Sequence, residues 1–302
     1  MKLASITCVK NESDILETFV RVNSSFINTF IFVDDSDDKS LYRLLSDEGF
    51  NIIVLEGENK KPPYNQDQMI MKALNYAKNE FDYFLPLDVD EFPKFRDITD
   101  AENCLKDIEA IGYYSWETYI PLSLEFDSTV ENGLISCFGK RNPEGRSYFK
   151  VVIAGGLDQI NVAVGAHGVT RLDGSALPSK HIDRKLAHFP VRSYKQILKK
   201  NISAVYGLLR KNNRLNGEGY HVIEVMQKLR NSKYDLSDLQ SIAIGYANDK
   251  NCGIGESPDW ISPYKLKYQS NLDFSRVLLD IVVDSWLNPF EKENIKDLIN
   301  NL

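Results

Sequence analysis

The sequence predicts an α/β fold: a mostly parallel sheet with an antiparallel extension, followed by a helical C-terminal region. Three observations carry that prediction. Four short, uninterrupted apolar runs recur in the first 90 residues, with helix-period segments between them. Strand-like runs punctuated by Gly, Pro and Asn fill residues 113–192, and the pattern turns helical from Ser193 onward.

The apolar runs are LASITCV (3–9), FIFVDD (30–35), NIIVLEG (51–57) and YFLPLD (83–88). Continuous rather than alternating runs suit strands covered on both faces, as in a parallel sheet. Between the first two, NESDILETFVRV offers Asn11 or Ser13 as a helix cap and Ile15, Leu16, Phe19 and Val20 as an apolar stripe. SLYRLLSDEG (40–49) reads as a short helix ended by Gly49. DQMIMKALNYAKNE sets Met69, Ile70, Ala73, Leu74 and Ala77 at helical spacing. Such alternation builds right-handed crossovers between parallel strands. Further on, GYYSWETYIPL, YFKVVIAG, INVAVGAHGV and KLAHFPV read as hairpin-connected antiparallel strands. Tyr194, Ile197, Leu198, Ile202 and Val205 then repeat at three-four spacing, and more helices are predicted over 219–230, 235–247, 274–286 and 289–301. The change of texture near residue 210 divides the chain into a first unit, 1–210, and a helical extension, 211–302, packing on it.

At 302 residues, 43% hydrophobic and 26% charged, the chain has the composition of a globular domain. A formal net charge of −7 argues against a general polyanion-binding surface, and so against nucleic acid, while permitting a local basic pocket. No stretch reaches the roughly 18 apolar residues that a membrane span needs, and MKLASITCVKNESD lacks the long apolar core of a signal peptide. Cys8, Cys104, Cys137 and Cys252 form no CxxC pair, which suits reduced thiols rather than a zinc site or a disulfide framework. The expectation is a cytoplasmic protein, with peripheral contact at the inner face of a membrane left open.

The ends of the apolar runs carry the chemistry. Parallel sheets bind ligands at the carboxyl ends of their strands. Polar clusters fall there: Lys10-Asn11-Glu12 after the first run, Asp34 to Asp38 after the second, and Asp88-Val89-Asp90-Glu91 after the fourth. Carboxylates that close repel, and a bound cation relieves the repulsion. A hard cation such as Mg²⁺ or Mn²⁺ takes carboxylate oxygens and bridges to phosphates. The bland reading of the acids is a solvated turn, and a DxD alone is a weak signal. No GxGxxG follows the first strand and no GxxxxGK[ST] occurs, which disfavours a dinucleotide fold and a P-loop.

KNESDILETFV, FIFVDDSDD, YNQDQMIMKALNYA and LDVDEF, in this order and spacing, resemble the glycosyltransferase family 2-like group, in particular its branch with a DxDEF signature. The resemblance covers roughly residues 3–200 and fades in the last 100. It implies a GT-A-like, Rossmann-type sheet and transfer of a sugar from a nucleotide-diphosphate sugar, a UDP-sugar in the first instance, to an acceptor hydroxyl. It also implies Mn²⁺ or Mg²⁺ as cofactor, with Asp88 and Asp90 holding the metal-diphosphate. Asp34 and Asp35 would lie near base and ribose, Gln66 matches a donor-side position of related branches, and Asn11 and Glu12 stand with them as donor-binding candidates. By type and order, His188 would complete the metal site. Arg192 would meet the diphosphate, and Lys195, one helical turn on, could share it. His167 is an active-site candidate that competes with His188. Trp116 and Glu117 are acceptor candidates, although core packing serves the tryptophan equally well. The setting implied is assembly of bacterial surface polysaccharide or lipopolysaccharide on a glycan or glycolipid acceptor.

An inverting transfer needs a carboxylate to take the acceptor proton, and Glu91, Glu117 and Asp158 are the candidates. Two other readings compete. A haloacid-dehalogenase-type phosphatase also places DxD after a buried strand, but usually near the chain start, whereas three strands precede it here. A non-catalytic module that binds a sugar nucleotide or glycan would keep the fold without turnover. Sugar transfer, phosphate release or binding alone separates the three.

Overall fold

The computed structural model describes residues 1–10, 12–36, 38–57, 65–124, 138–140, 149–212, 224–225, 228–229, 231, 233–246, 260, 264 and 266–268. Strands β1 (Leu3–Val9), β2 (Thr29–Asp34), β3 (Ile52–Glu56) and β4 (Tyr83–Pro86) alternate with helices α1 (Ser13–Asn23), α2 (Ser40–Asp47) and α3 (Gln66–Ala77). They pair in parallel, in the order β3-β2-β1-β4. Residues of β2 alternate between two cores. Phe30 and Phe32 join Ile15 and Phe19 of α1 on one side, while Ile31 and Val33 join Ile70 and Leu74 of α3 on the other. A strand flanked by helices on both faces has no solvent side, hence its unbroken apolar sequence.

The second half continues the sheet through β5 (Glu91–Pro93), β6 (Ile111–Pro121), β7 (Phe138–Lys140), β8 (Phe149–Ala154) and β11 (Ser179–His188). Among the described residues the sheet has nine strands: β8 lies antiparallel between β4 and β6, β11 follows β6, β5 closes that edge and β7 pairs with β6. The antiparallel expectation holds for β8 against β4 and β6, and the unforeseen β5 and β7 are antiparallel too, but β11 runs parallel to β6. INVAVGAHGV is not one strand. It splits into β9 (Ile160–Val162), a 3-10 turn (Val164–Ala166) and β10 (Val169–Arg171), which form a separate two-stranded sheet. Gly165, at φ 74°, turns the chain there.

Caps differ in detail from expectation. Glu12 holds the position before α1 and makes no side-chain cap bond, while Asn11 lies outside the described residues. Gly49, at φ +98°, follows α2 as expected. Helix α4 (Ile98–Leu105) was not foreseen, and Asp97 caps it by accepting from the Asp100 N–H. Helix α5 (Tyr194–Asn212) starts after Ser193, whose hydroxyl accepts from Gln196 N at 3.2 Å, while Gln196 Oε1 accepts from Arg192 N at 3.1 Å. That reciprocal pair is a capping box reaching one residue further back.

Helix α5 runs unbroken past residue 210, and α6 (Leu236–Tyr246) packs on β6. Ile120, Val191, Ile197, Val225, Leu229, Leu239 and Ile242 make a third core there. The helices predicted over 274–286 and 289–301 lie outside the described residues, as does most of 219–230. Among the described residues no helix is long and apolar enough to cross a membrane.

A polar clasp ties residues 267–268 to the first helices. Glu17 accepts the backbone N–H of Lys267 at 2.7 Å and of Tyr268 at 3.0 Å. Arg21 bridges Glu17 and Glu48, and Lys267 and the Tyr268 hydroxyl also reach Glu48. The Arg21 guanidinium, then Lys267 and Tyr268, pull Glu48 down from 4.5 to about 2. A depressed carboxylate stabilises the fold above its unfolded pKa and loses that contribution as pH falls through the folded one. Glu48→Gln should therefore flatten the fall of Tm between about pH 4.5 and about pH 2. An acid limb identical to that of the wild type would show that the clasp contributes nothing.

Candidate functional site at the carboxyl ends of the strands

The tight turn after β4 creates the site. Glu91 N donates to Asp88 O at 3.0 Å, and the Glu91 side chain returns to accept from Asp88 N at 2.8 Å. Three acids within four positions are thereby fixed side by side. Lys150 answers two of them. It sits at the start of β8, on the strand beside β4, and its Nζ lies 3.0 Å from Asp88 Oδ2 and 2.9 Å from Glu91 Oε2. The lysine side chain is 1% exposed, whereas that of Asp88 is 39% exposed. Gln66, in the first turn of α3, donates to Asp88 Oδ1 at 2.9 Å. Asp88 is thus oriented by two donors and still opens to solvent.

Asp90 points inward. Its backbone carbonyl accepts from Phe189 N, which ties the turn to the end of β11. Its carboxylate meets Lys200 Nζ at 3.2 Å and Arg192 Nη1 at 3.5 Å, and its side chain is 2% exposed. Arg192, fully buried, also holds Asp14 of α1 at 2.8 Å. His188 Nε2 lies 3.8 Å from Asp90 Oδ1, too far for a hydrogen bond. The ring stacks on Trp116 at 4.8 Å, and the exposed His167 also meets Trp116, edge-on, at 5.4 Å.

Burial and neighbours set the charges. Burial alone would raise Asp90, but Lys200, His188 and Arg192 outweigh it and hold the carboxyl below its usual range. Burial lowers His188 to about 4, so the imidazole is neutral at pH 7. Burial likewise raises Glu12, and Asp90 adds to the effect. Glu91 is pushed up to about 8 by burial, yet Asp88 and Glu91 hold Lys150 protonated against its own burial. The Lys150 ammonium is charged, because it has two acid partners within 3.0 Å.

Two strands over, Asp34 ends β2 and Asp35 follows it on the same edge. Asp34 Oδ1 accepts from Ser36 N at 2.6 Å. Asp35 is buried, and among the described residues neither carboxylate oxygen has a hydrogen-bond partner. Gly57 lies against it; a Cβ there would stand 2.0 Å from Asp35 Oδ1. Glu91 Oε1 and Asp14 Oδ1 are likewise buried without a partner. Burying acceptors without donors is costly, so donors brought by water or a ligand would be favoured at this edge.

The structure thus brings together Glu12, Asp34, Asp35, Gln66, Asp88, Asp90, Glu91, Trp116, His167, His188 and Arg192 at one edge of the sheet. Other candidates fall elsewhere. Successive strand residues face opposite ways, so Glu117 turns from Trp116 to an ion pair with Lys94. Asp158 is exposed and pairs with Lys78, beside the first residues of β4 and so at the opposite edge. Lys195 is exposed on α5; Lys200, further along that helix, is the lysine that reaches the acids. Among the described residues no three His, Cys, Asp or Glu side chains converge on a point that could hold a metal ion. Asp88, Asp90 and His188, expected to hold the metal, lie on this same edge, with Lys200 and Arg192 engaging Asp90 and His188 Nε2 3.8 Å from it. Lys150, Lys200 and Asp14 were not named as site residues. The available signal for Lys150 was a single charge inside the buried run YFKVVIAG, since lysine is almost never fully buried without a partner.

No family model matches the chain, and no curated protein matches it. Several solved structures are similar to it at low scores. A Staphylococcus aureus TarS fragment, residues 1–349, has 11% identity and a TM-score of 0.38, covering 89% of this chain and 100% of that one. Mannosyltransferase PcManGT from Pyrobaculum calidifontis, in complex with GDP-Man and Mn²⁺, has 11% identity and a TM-score of 0.39, covering 99% and 85%. A CMP:2-keto-3-deoxy-manno-octonic acid synthetase complexed with CTP has 14% identity and a TM-score of 0.28, covering 51% and 74%. At such scores the likeness carries no argument, and function has to be argued from the chain's own residues.

Removing one partner of a buried ion pair strands the other, which costs about 3–5 kcal/mol. Asp90→Asn should therefore lower the urea midpoint strongly, while Asp88→Asn, at an open position, should cost no more than about 1–2 kcal/mol. Equal losses in the two variants would contradict the division into a buried acid and an open one.

Proposed function

We propose that the chain is a glycosyltransferase of GT-A-like architecture that moves a sugar from a nucleotide-diphosphate sugar to an acceptor hydroxyl. The observation that carries this reading is the buried, unpartnered Asp35 carboxylate, on the same edge as the open Asp88. Acceptor-only oxygens call for a ligand rich in donors, and ribose hydroxyls or a base N–H supply them.

Asp88 suits the phosphate end. Each of its oxygens takes one donor, so lone pairs remain on a carboxylate open to solvent. Hard carboxylate oxygen fits Mg²⁺ or Mn²⁺, which is commonly held by one or two carboxylates together with substrate phosphates. When bound, such a cation offsets charge on the departing diphosphate. Asp88 would hold it, oriented by Gln66 and Lys150. Lys200, with its side chain 38% exposed, is the cation of α5 that reaches the mouth of the site and can face phosphate. Trp116, between His188 and His167, offers a ring face to an acceptor sugar, and exposed His167 is the candidate to receive the acceptor proton. A UDP-sugar donor, inversion, and a glycan or glycolipid acceptor in bacterial surface polysaccharide or lipopolysaccharide assembly complete the reading.

One observation favours the non-catalytic module instead. Glu91 and Glu117 are enclosed by lysines and Asp158 lies at the far edge, so none of the three carboxylate bases faces the cleft. Product analysis decides between them: sugar transfer, or slow donor hydrolysis, against binding with neither.

Asp35→Asn keeps the shape and removes the charge. Calorimetry with UDP, GDP and CDP plus Mn²⁺ should show at least a tenfold loss for the nucleotide that the wild type binds, about 1.4 kcal/mol or more. The free variant should melt no lower than the wild type, because a buried unpaired carboxylate is itself costly. Unchanged affinity would remove Asp35 from the donor site.

A further inference from the structure

We infer that Lys150 makes the divalent cation donor-borne: its ammonium fills the positive position beside Asp88 and Glu91 in the free protein, so metal enters with the nucleoside diphosphate and not before it. The inference rests on the reading of this edge as a donor site.

Two features of Lys150 set it apart from a surface lysine. Its backbone is locked in the sheet, paired with Tyr114 on β6, and its side chain is 1% exposed. Its partners are also specific. Both are acids of the β4 turn, at 3.0 and 2.9 Å, and each acid has its own further constraint, Asp88 from Gln66 and Glu91 from the Asp88 backbone. A lone Mn²⁺ approaching Asp88 would meet a fixed positive charge on the same carboxylate.

The neighbouring acid offers no alternative. Lys200 and Arg192 bind Asp90, and Arg192 also holds Asp14, so the turn has no uncompensated acid pair to attract a bare dication. Among the described residues no triad of metal-ligating side chains converges. A nucleoside diphosphate changes the balance: it brings several negative charges and hard phosphate oxygens, and then one protein carboxylate suffices. Asp88, the open acid, is placed for that. Without the lysine ammonium, Asp88 and Glu91 would form an adjacent acid pair relieved by metal alone.

The test is Mn²⁺ uptake followed by electron paramagnetic resonance on the full chain. Wild-type protein alone should bind Mn²⁺ at least tenfold more weakly than in the presence of UDP, GDP or pyrophosphate, after correction for the complex formed without protein. Lys150→Met alone should bind Mn²⁺ at least tenfold more tightly than the wild type alone. Should that variant fail to fold, Lys150→Met with Glu91→Gln removes one charge of each sign, and its Mn²⁺ affinity should then stay at the wild-type level. Equal Mn²⁺ affinity of the wild type with and without diphosphate would overturn the inference, as would a folded Lys150→Met with no gain. Absence of any diphosphate binding, with or without Mn²⁺, would overturn the donor-site reading as well. Diphosphate binding after metal uptake by the free wild type would overturn this inference alone.

Discussion

The site depends on charge compensation at the end of β4. Asp88, Asp90 and Glu91 stand within four positions, and two carboxylates about 5 Å apart repel by about 3 kcal/mol at an effective dielectric of 20. That exceeds what exposed ion pairs return, and two of the three compensating cations, Lys150 and Arg192, are accordingly buried and fixed. They come from distant parts of the chain: Lys150 from β8, and Arg192 and Lys200 from the segment after β11. The strand order follows from that need. Placing β8 directly beside β4 delivers the lysine, and the β5–β11 pairing brings Phe189 and Arg192 to Asp90.

The same compensation divides the acids by role. Asp90 and Glu91 are buried among cations and hold the turn together, whereas Asp88 faces outward with lone pairs to offer. Asp35, two strands away, is buried without a hydrogen-bond partner among the described residues. On the proposed reading, the rigid charge cluster and the unsatisfied acceptors beside it would together receive a ligand that carries both donors and phosphate. The opposite edge differs in character. A pocket there is lined by Met71, Leu74, Lys78, Phe84, Leu157 and Asp158, mostly apolar and far from the acids.

Much of this was legible in the sequence where the signal is local. The four parallel strands were readable because burial on both faces forces uninterrupted apolar runs, and the gathering of acids at one edge because they follow those runs. Pairing across long distances left no such trace. Strands β5 and β7 are three residues long, and the parallel alignment of β11 on β6 depends on register rather than composition. The Lys150–Asp88 contact spans 62 residues, so the lysine read as part of a strand. The engagement of Asp90 by Lys200 and Arg192 left no trace either, since spacing shows that two acids are close and not which of them is buried.

The account's central claim is that Asp88, and not Asp90, is the acid that meets the donor phosphates. Anomalous diffraction at the manganese edge, from crystals grown with Mn²⁺ and the nucleoside diphosphate that binds best, tests it directly. The account predicts a peak about 2.0–2.3 Å from an Asp88 carboxylate oxygen and from phosphate oxygen, with Asp90 still paired to Arg192 and Lys200. A peak between Asp90 and His188, or a nucleotide bound away from this edge, would contradict it.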